Sequence, residues 1–117
     1  MSIFTGCATK NIIKSNTATI VIKTPTMKFY DKGFINYYDD HVYLQILSAG
    51  NVVLDLKVYE DEVCKDALRC MSSNEFNKQY IISSYEENFL YKLLTQNKKE
   101  IIFRDRPNGI LIKILKD

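Results

Sequence analysis

The chain has 117 residues, 46% hydrophobic and 26% charged, which sets a single folded domain with a small but genuine core. Its net charge of +2, with 16 Lys and Arg spread along the chain and no block of five or six like charges, gives no electrostatic case for nucleic acid. No apolar run reaches the length of a membrane-spanning helix, and neither an internal repeat nor a low-complexity tract is present.

Residues 1–7 end in Phe4-Thr5-Gly6-Cys7. An apolar residue, two small residues and a Cys resemble the lipobox of a bacterial lipoprotein signal, although Phe4 stands where Leu is usual. That resemblance implies that Cys7 is acylated and becomes the first residue of the mature protein. A signal peptide needs an apolar region of about seven to fifteen residues, which the residues before Cys7 do not supply. The natural precursor is therefore expected to carry an apolar segment ahead of Ile3. Residues 8–16 are small, polar and basic without periodicity, so 1–16 reads as lipobox remnant and flexible tether.

The single domain is expected over 17–117. Residues 17–24 are rich in β-branched side chains and predict a strand with Ala18, Ile20 and Ile22 on one face, ended by Pro25. Residues 27–30 read as a short extended piece, Asp31-Lys32-Gly33 as a turn, and 34–38 as another strand. The central hairpin follows. Val42, Leu44 and Ile46 alternate on one arm and Val52, Leu54, Leu56 and Val58 on the other, the period-two pattern of a half-buried sheet. Gly50 and Asn51 can supply the positive φ of its turn. A loop fenced by Cys64 and Cys70 comes next.

Ser72-x-x-Glu75 and Ser84-x-x-Glu87 are capping boxes, in which the Ser oxygen takes an orphan helix N–H. Phe76 and Tyr80 share the face of one short helix. Phe89, Leu90, Leu93 and Leu94 form the stripe of a second, which ends near Gln96-Asn97, giving a helical insertion at about 73–96. Residues 100–104 and 110–115 are the last strands, joined at Pro107-Asn108-Gly109, with Ile110, Ile112 and Ile114 toward the core. Antiparallel strands with short turns fit a mainly β sandwich. An α+β arrangement, an antiparallel sheet with helices on one face, stays open.

Catalytic signals are sparse. There is one His, His41, beside Asp39 and Asp40, and adjacent residues in a turn splay apart, so no metal site is expected. The chain has no Gly-x-Ser-x-Gly elbow and, with Gly 4, no phosphate-cradling loop. The expectation is a protein that is not an enzyme and carries no cofactor, with an enzyme of unknown type as the third reading. Cys64 and Cys70 lack redox-motif spacing. In an oxidising compartment they would be bridged, with Cys7 left unpaired; in the cytosol they would be two free thiols. Tyr37, Tyr43 and Tyr59 are the candidate binding surface, since outward tyrosines offer contact area at low entropy cost; cross-strand aromatic pairing is the alternative.

Phe4-Thr5-Gly6-Cys7, the Cys64–Cys70 loop and the segment 69–80 together resemble small outer-membrane lipoproteins of Campylobacter, Helicobacter and relatives. The resemblance implies a lipid-anchored domain of the outer membrane or periplasm, with an immunoglobulin-like β-sandwich variant and no catalysis. The function expected is a non-catalytic binding or adhesion module. Its partners would be the membrane through the lipid, and other envelope proteins or a host surface ligand, with no nucleic acid. A structural component of an envelope lipoprotein complex is the alternative.

Overall fold

The computed structural model describes residues 13–66 and 69–117. The lipobox with Cys7, and tether residues 8–12, lie outside the described residues. Among the described residues there are eight strands: β1 (Lys14–Lys23), β2 (Lys28–Tyr37), β3 (Val42–Ser48), β4 (Asn51–Val58), β5 (Glu62–Lys65), β6 (Arg69–Ser72), β7 (Glu100–Asp105) and β8 (Ile110–Lys116). They join in one antiparallel sheet of order β6-β5-β4-β3-β2-β1-β8-β7. Two short helices, α1 (Ser73–Tyr80) and α2 (Phe89–Leu94), stand between β6 and β7 in the chain.

The fold is mainly β with a short helical insertion, as the alternating pattern predicts. Its layers are those of an antiparallel sheet with helices on one face, because all eight strands belong to a single sheet. The second layer that a sandwich would draw from strands is supplied by Phe76, Ile81, Leu90, Leu93 and Leu94, in one buried cluster with inward residues of the sheet. Ala18, Ile20, Ile35, Leu44, Ile46, Leu56 and Ile114 on that inner face are at most 1% exposed. Burying such side chains contributes about 1.5–3 kcal/mol each for the larger ones.

Several local expectations are corrected by the geometry. β1 begins at Lys14, so residues 14–16 belong to the sheet and not to a tether; Lys14, Ser15 and Asn16 pair with Tyr37, Asn36 and Ile35. Asp31-Lys32-Gly33 is no turn but the middle of a continuous β2. Gly33 is needed there for close approach: a Cβ would lie 2.0 Å from the carbonyl oxygen of Gln45. In the central hairpin the positive φ falls on Ala49 (51°) and Gly50 (82°), one residue earlier than expected. The register slips between Ile46 and Leu47, which pair with Leu54 and Val52 and leave Val53 as the extra residue of a bulge. Val52 therefore faces solvent at 50% exposure, whereas Leu54, Leu56 and Val58 are buried as expected.

Glu62–Lys65 and Arg69–Ser72 pair as β5 and β6, where a loop was expected. The first capping box holds: Ser72 Oγ accepts from the Glu75 N–H at 3.2 Å. The second does not start a helix. α2 begins at Phe89, behind an Asn88 cap that makes no side-chain bond. The intervening turns are held instead by buried Asn77, whose Nδ2 donates to the Glu86 carbonyl at 2.8 Å.

Candidate functional site

The helices cover the inner face of the sheet, and the outer face is where side chains meet the surroundings. Residues paired across antiparallel strands share a face, so the outer face can be read as cross-strand rows. Toward the β3–β4–β5 end, the row Tyr38–His41–Tyr59 is an aromatic stack. The His41 ring lies 4.4 Å from Tyr38, nearly parallel at 6°, and 4.7 Å from Tyr59. His41 is buried, and its Nδ1 is 2.7 Å from Asp40 Oδ1. The next row runs Asn36–Tyr43–Lys57–Cys64–Cys70.

In that row Tyr43 Oη donates to Asp55 Oδ2 at 2.8 Å, and Lys57 Nζ sits 5.4 Å from the Tyr43 ring centroid. Burial, reinforced by the Asp55 carboxylate, pushes the Tyr43 phenol up to about 12. Cys64 and Cys70 are directly paired residues of β5 and β6 and are joined by a disulfide. Glu62 brings a carboxylate close to the same two sulfurs, all within 4.8 Å. While the bridge stands, the sulfurs are not thiolates and the cluster has no soft ligand set for a metal.

The three tyrosines expected to form one surface are not brought together. Tyr43 and Tyr59 are on the outer face, each tied to partners of its own chain. Tyr37 lies on the inner side, opposite Val42, with Lys116 Nζ 4.7 Å from its ring centroid. The physical reason is the alternation itself: Tyr37 is in phase with buried Ile35, so the pleat turns it inward. Desolvation pushes its phenol up to about 12. The same burial, with the Lys14 charge, holds the Lys116 ammonium below its usual range.

The other end of the outer face, built by β7, β8, β1 and β2, is different. One row reads Ile102–Lys113–Val21–Tyr30 and the next reads Arg104–Leu111–Lys23–Lys28. Tyr30 is 77% exposed and Ile102 50% exposed. Arg106, just past β7, closes an open depression with Lys23, Arg104, Gly109, Ile110 and Leu111. Among the described residues, no carboxylate is bonded to Lys23, Lys28, Arg104, Arg106 or Lys113. The nearest in sequence, Asp105, accepts instead from Tyr85 Oη and from Asn108 Nδ2, which hold its carboxyl below the usual range.

The apolar space between helices and sheet is lined by Ile22, Leu44, Leu56, Phe76, Leu90 and Ile112, among others, and presents no polar surface. It can exclude water but cannot move a proton or hold an ion. Among the described residues no helix is long and apolar enough to cross a membrane. No protein-family model, curated protein or solved structure matches the chain.

Proposed function

We propose that the protein is a lipid-anchored cell-envelope module that binds rather than catalyses. The observation that carries the reading is the uncovered outer face of the sheet, where exposed Tyr30 and Ile102 stand among cations to which no carboxylate of the described residues is bonded. Such a face is costly to leave idle, because exposed apolar groups gain free energy only when something covers them. The Cys64–Cys70 bridge supports an oxidising compartment, as does the lipobox-like Phe4-Thr5-Gly6-Cys7. The aromatic stack around His41 is read as structural, since His41 is closed off between two rings.

Fractionation of the native host tests the anchor. Full-length protein should sediment with the outer membrane, and Cys7→Ala should release it or leave it unprocessed. Exported protein should show the 64–70 bridge in non-reducing mass analysis, with Cys7 outside it. A Cys7→Ala protein that is still processed and retained in the outer membrane would overturn the anchor.

A further inference from the structure

We propose that the outer face of β7, β8, β1 and β2 docks on the phosphate headgroups of an anionic lipid bilayer. The inference goes beyond the anchor at Cys7 and stands without it. Its basis is the content of two adjacent rows. Between them, Ile102–Lys113–Val21–Tyr30 and Arg104–Leu111–Lys23–Lys28 hold four cations, four apolar or aromatic side chains and no carboxylate. Glu100 belongs to the following row, with Leu115, Thr19 and Lys32, and there Lys32 is already paired with Asp117 at 3.1 Å.

The net charge of the whole chain is only +2, so this concentration is a local segregation and not a general basicity. Cations so placed gain by neutralising an anionic surface, at about 1 kcal/mol each near a bilayer, or roughly fivefold in partition. Exposed Tyr30 and Ile102 supply what cations alone do not: an aromatic and an aliphatic group able to enter the headgroup boundary. Four neighbouring strands span about 15 Å at the usual strand spacing, wide enough to meet several headgroups at once. The depression edged by Lys23, Arg104 and Arg106 fits a single phosphate group.

The test is flotation of the unacylated Cys7→Ser protein with vesicles. Phosphatidylglycerol mixed into phosphatidylcholine should bind it, pure phosphatidylcholine should not, and added salt should release it. Lys23→Gln, Arg104→Gln and Lys113→Gln should each weaken binding about fivefold, and the triple variant should abolish it. Tyr30→Ser with Ile102→Ser should weaken binding while leaving the salt dependence intact. A charge-matched control of Arg69→Gln, Lys78→Gln and Lys98→Gln should bind like the parent protein. Thermal melts confirm that each variant is folded.

Equal flotation with neutral vesicles overturns the proposal, as does an equal loss in the control triple. Equal affinity for soluble poly-glutamate or for an oligonucleotide would assign the face to an acidic macromolecule and overturn the bilayer. Because no lipid is attached in this assay, its failure would leave the Cys7 anchor standing, and failure of the anchor would leave this face standing.

Discussion

The two halves of the outer face spend similar residues in opposite ways. On β3, β4, β5 and β6 the polar and aromatic side chains satisfy one another: Tyr43 with Asp55 and Lys57, His41 with Asp40 and two tyrosines, Cys64 with Cys70. On β7, β8, β1 and β2 the outward cations Lys23, Lys28, Arg104 and Lys113 and the exposed Tyr30 and Ile102 have no such partners among the described residues, and only Lys32, paired with Asp117, is matched. Both halves hold tyrosine and lysine, so composition does not separate them. What separates them is whether the strand opposite offers a complement. Lys57 faces an aromatic ring across the ladder, while Lys23 faces Leu111 on one side and Lys28 on the other. The first half stabilises the fold; the second is left for something outside it.

The β3–β4 hairpin lies within the self-satisfied half, and its bulge sets which residues face in. Leu54→Ala should cost about 2–5 kcal/mol, since it hollows the buried face. Val52→Ala, which alternation alone would place beside it, should cost within about 0.5 kcal/mol. Equal losses in urea melts would show that the bulge is misplaced, because a slip of one residue exchanges the faces.

The self-satisfied half should also be the one that notices loss of its cross-link. Cys64→Ser with Cys70→Ser should lower stability by about 2 kcal/mol, from the loop-closure entropy returned to the unfolded chain. The same melt on the Arg104→Gln variant should be nearly unchanged. A negligible loss for the cysteine pair would mean that β5–β6 holds without its bridge.

These features were unequally legible in the sequence. Alternation revealed the inward residues of β3, most of β4 and β8, and Ser72-x-x-Glu75 revealed where α1 starts, because these are local patterns. The bulge at Val53 and the close approach at Gly33 were not legible, since both depend on what lies across the ladder. Asp31-Lys32-Gly33 carries the chemistry of a turn, and only the Gln45 carbonyl explains the glycine inside a strand. The β5–β6 hairpin lacked a β-branched run to mark it. The basic rows were invisible for a different reason. Lys23, Arg104 and Lys113 are scattered along the chain, and only the pairing of β1 with β8, and of β8 with β7, assembles them. The tyrosines show the converse: Tyr37, Tyr43 and Tyr59 are near in sequence, but the pleat turns Tyr37 inward while Tyr43 and Tyr59 face outward as expected.

Tyr43 offers a smaller effect with a pH signature. Tyr43→Phe removes the donor to Asp55, whose other oxygen is already buried without a partner, and should cost about 1 kcal/mol. In the folded parent protein burial and the Asp55 carboxylate push the phenol up to about 12, above the ordinary 10.0 it has in the unfolded chain. Between those values the folded state keeps a proton that the unfolded state has released. Stability is therefore fully present below the unfolded pKa and is lost as pH rises through the folded one. Alkaline melts should show that decline, and Tyr43→Phe should make it shallower. An unchanged alkaline slope would mean that Tyr43 is not held as described.

The smallest effect discriminates best, because the two halves should differ in its sign. Lys57→Gln removes a cation from above the Tyr43 ring and should cost about 0.5 kcal/mol. Lys23→Gln removes a cation that has no anion bonded to it among the described residues and a second cation, Lys28, directly opposite it on β2. Like charges facing each other across a ladder destabilise it, so this substitution should be neutral or stabilising by a few tenths of a kcal/mol. The repulsion acts through solvent and is screened over about 10 Å at 0.1 M salt. The gain from Lys23→Gln should therefore be largest at low ionic strength and fade as salt is added. The loss from Lys57→Gln should persist, since its contact with the ring is short and partly shielded. Melts of both variants at low and high salt give the comparison directly. If Lys23→Gln destabilises the protein at low salt, Lys23 has a partner within the fold, and the basic half is not open to an outside one.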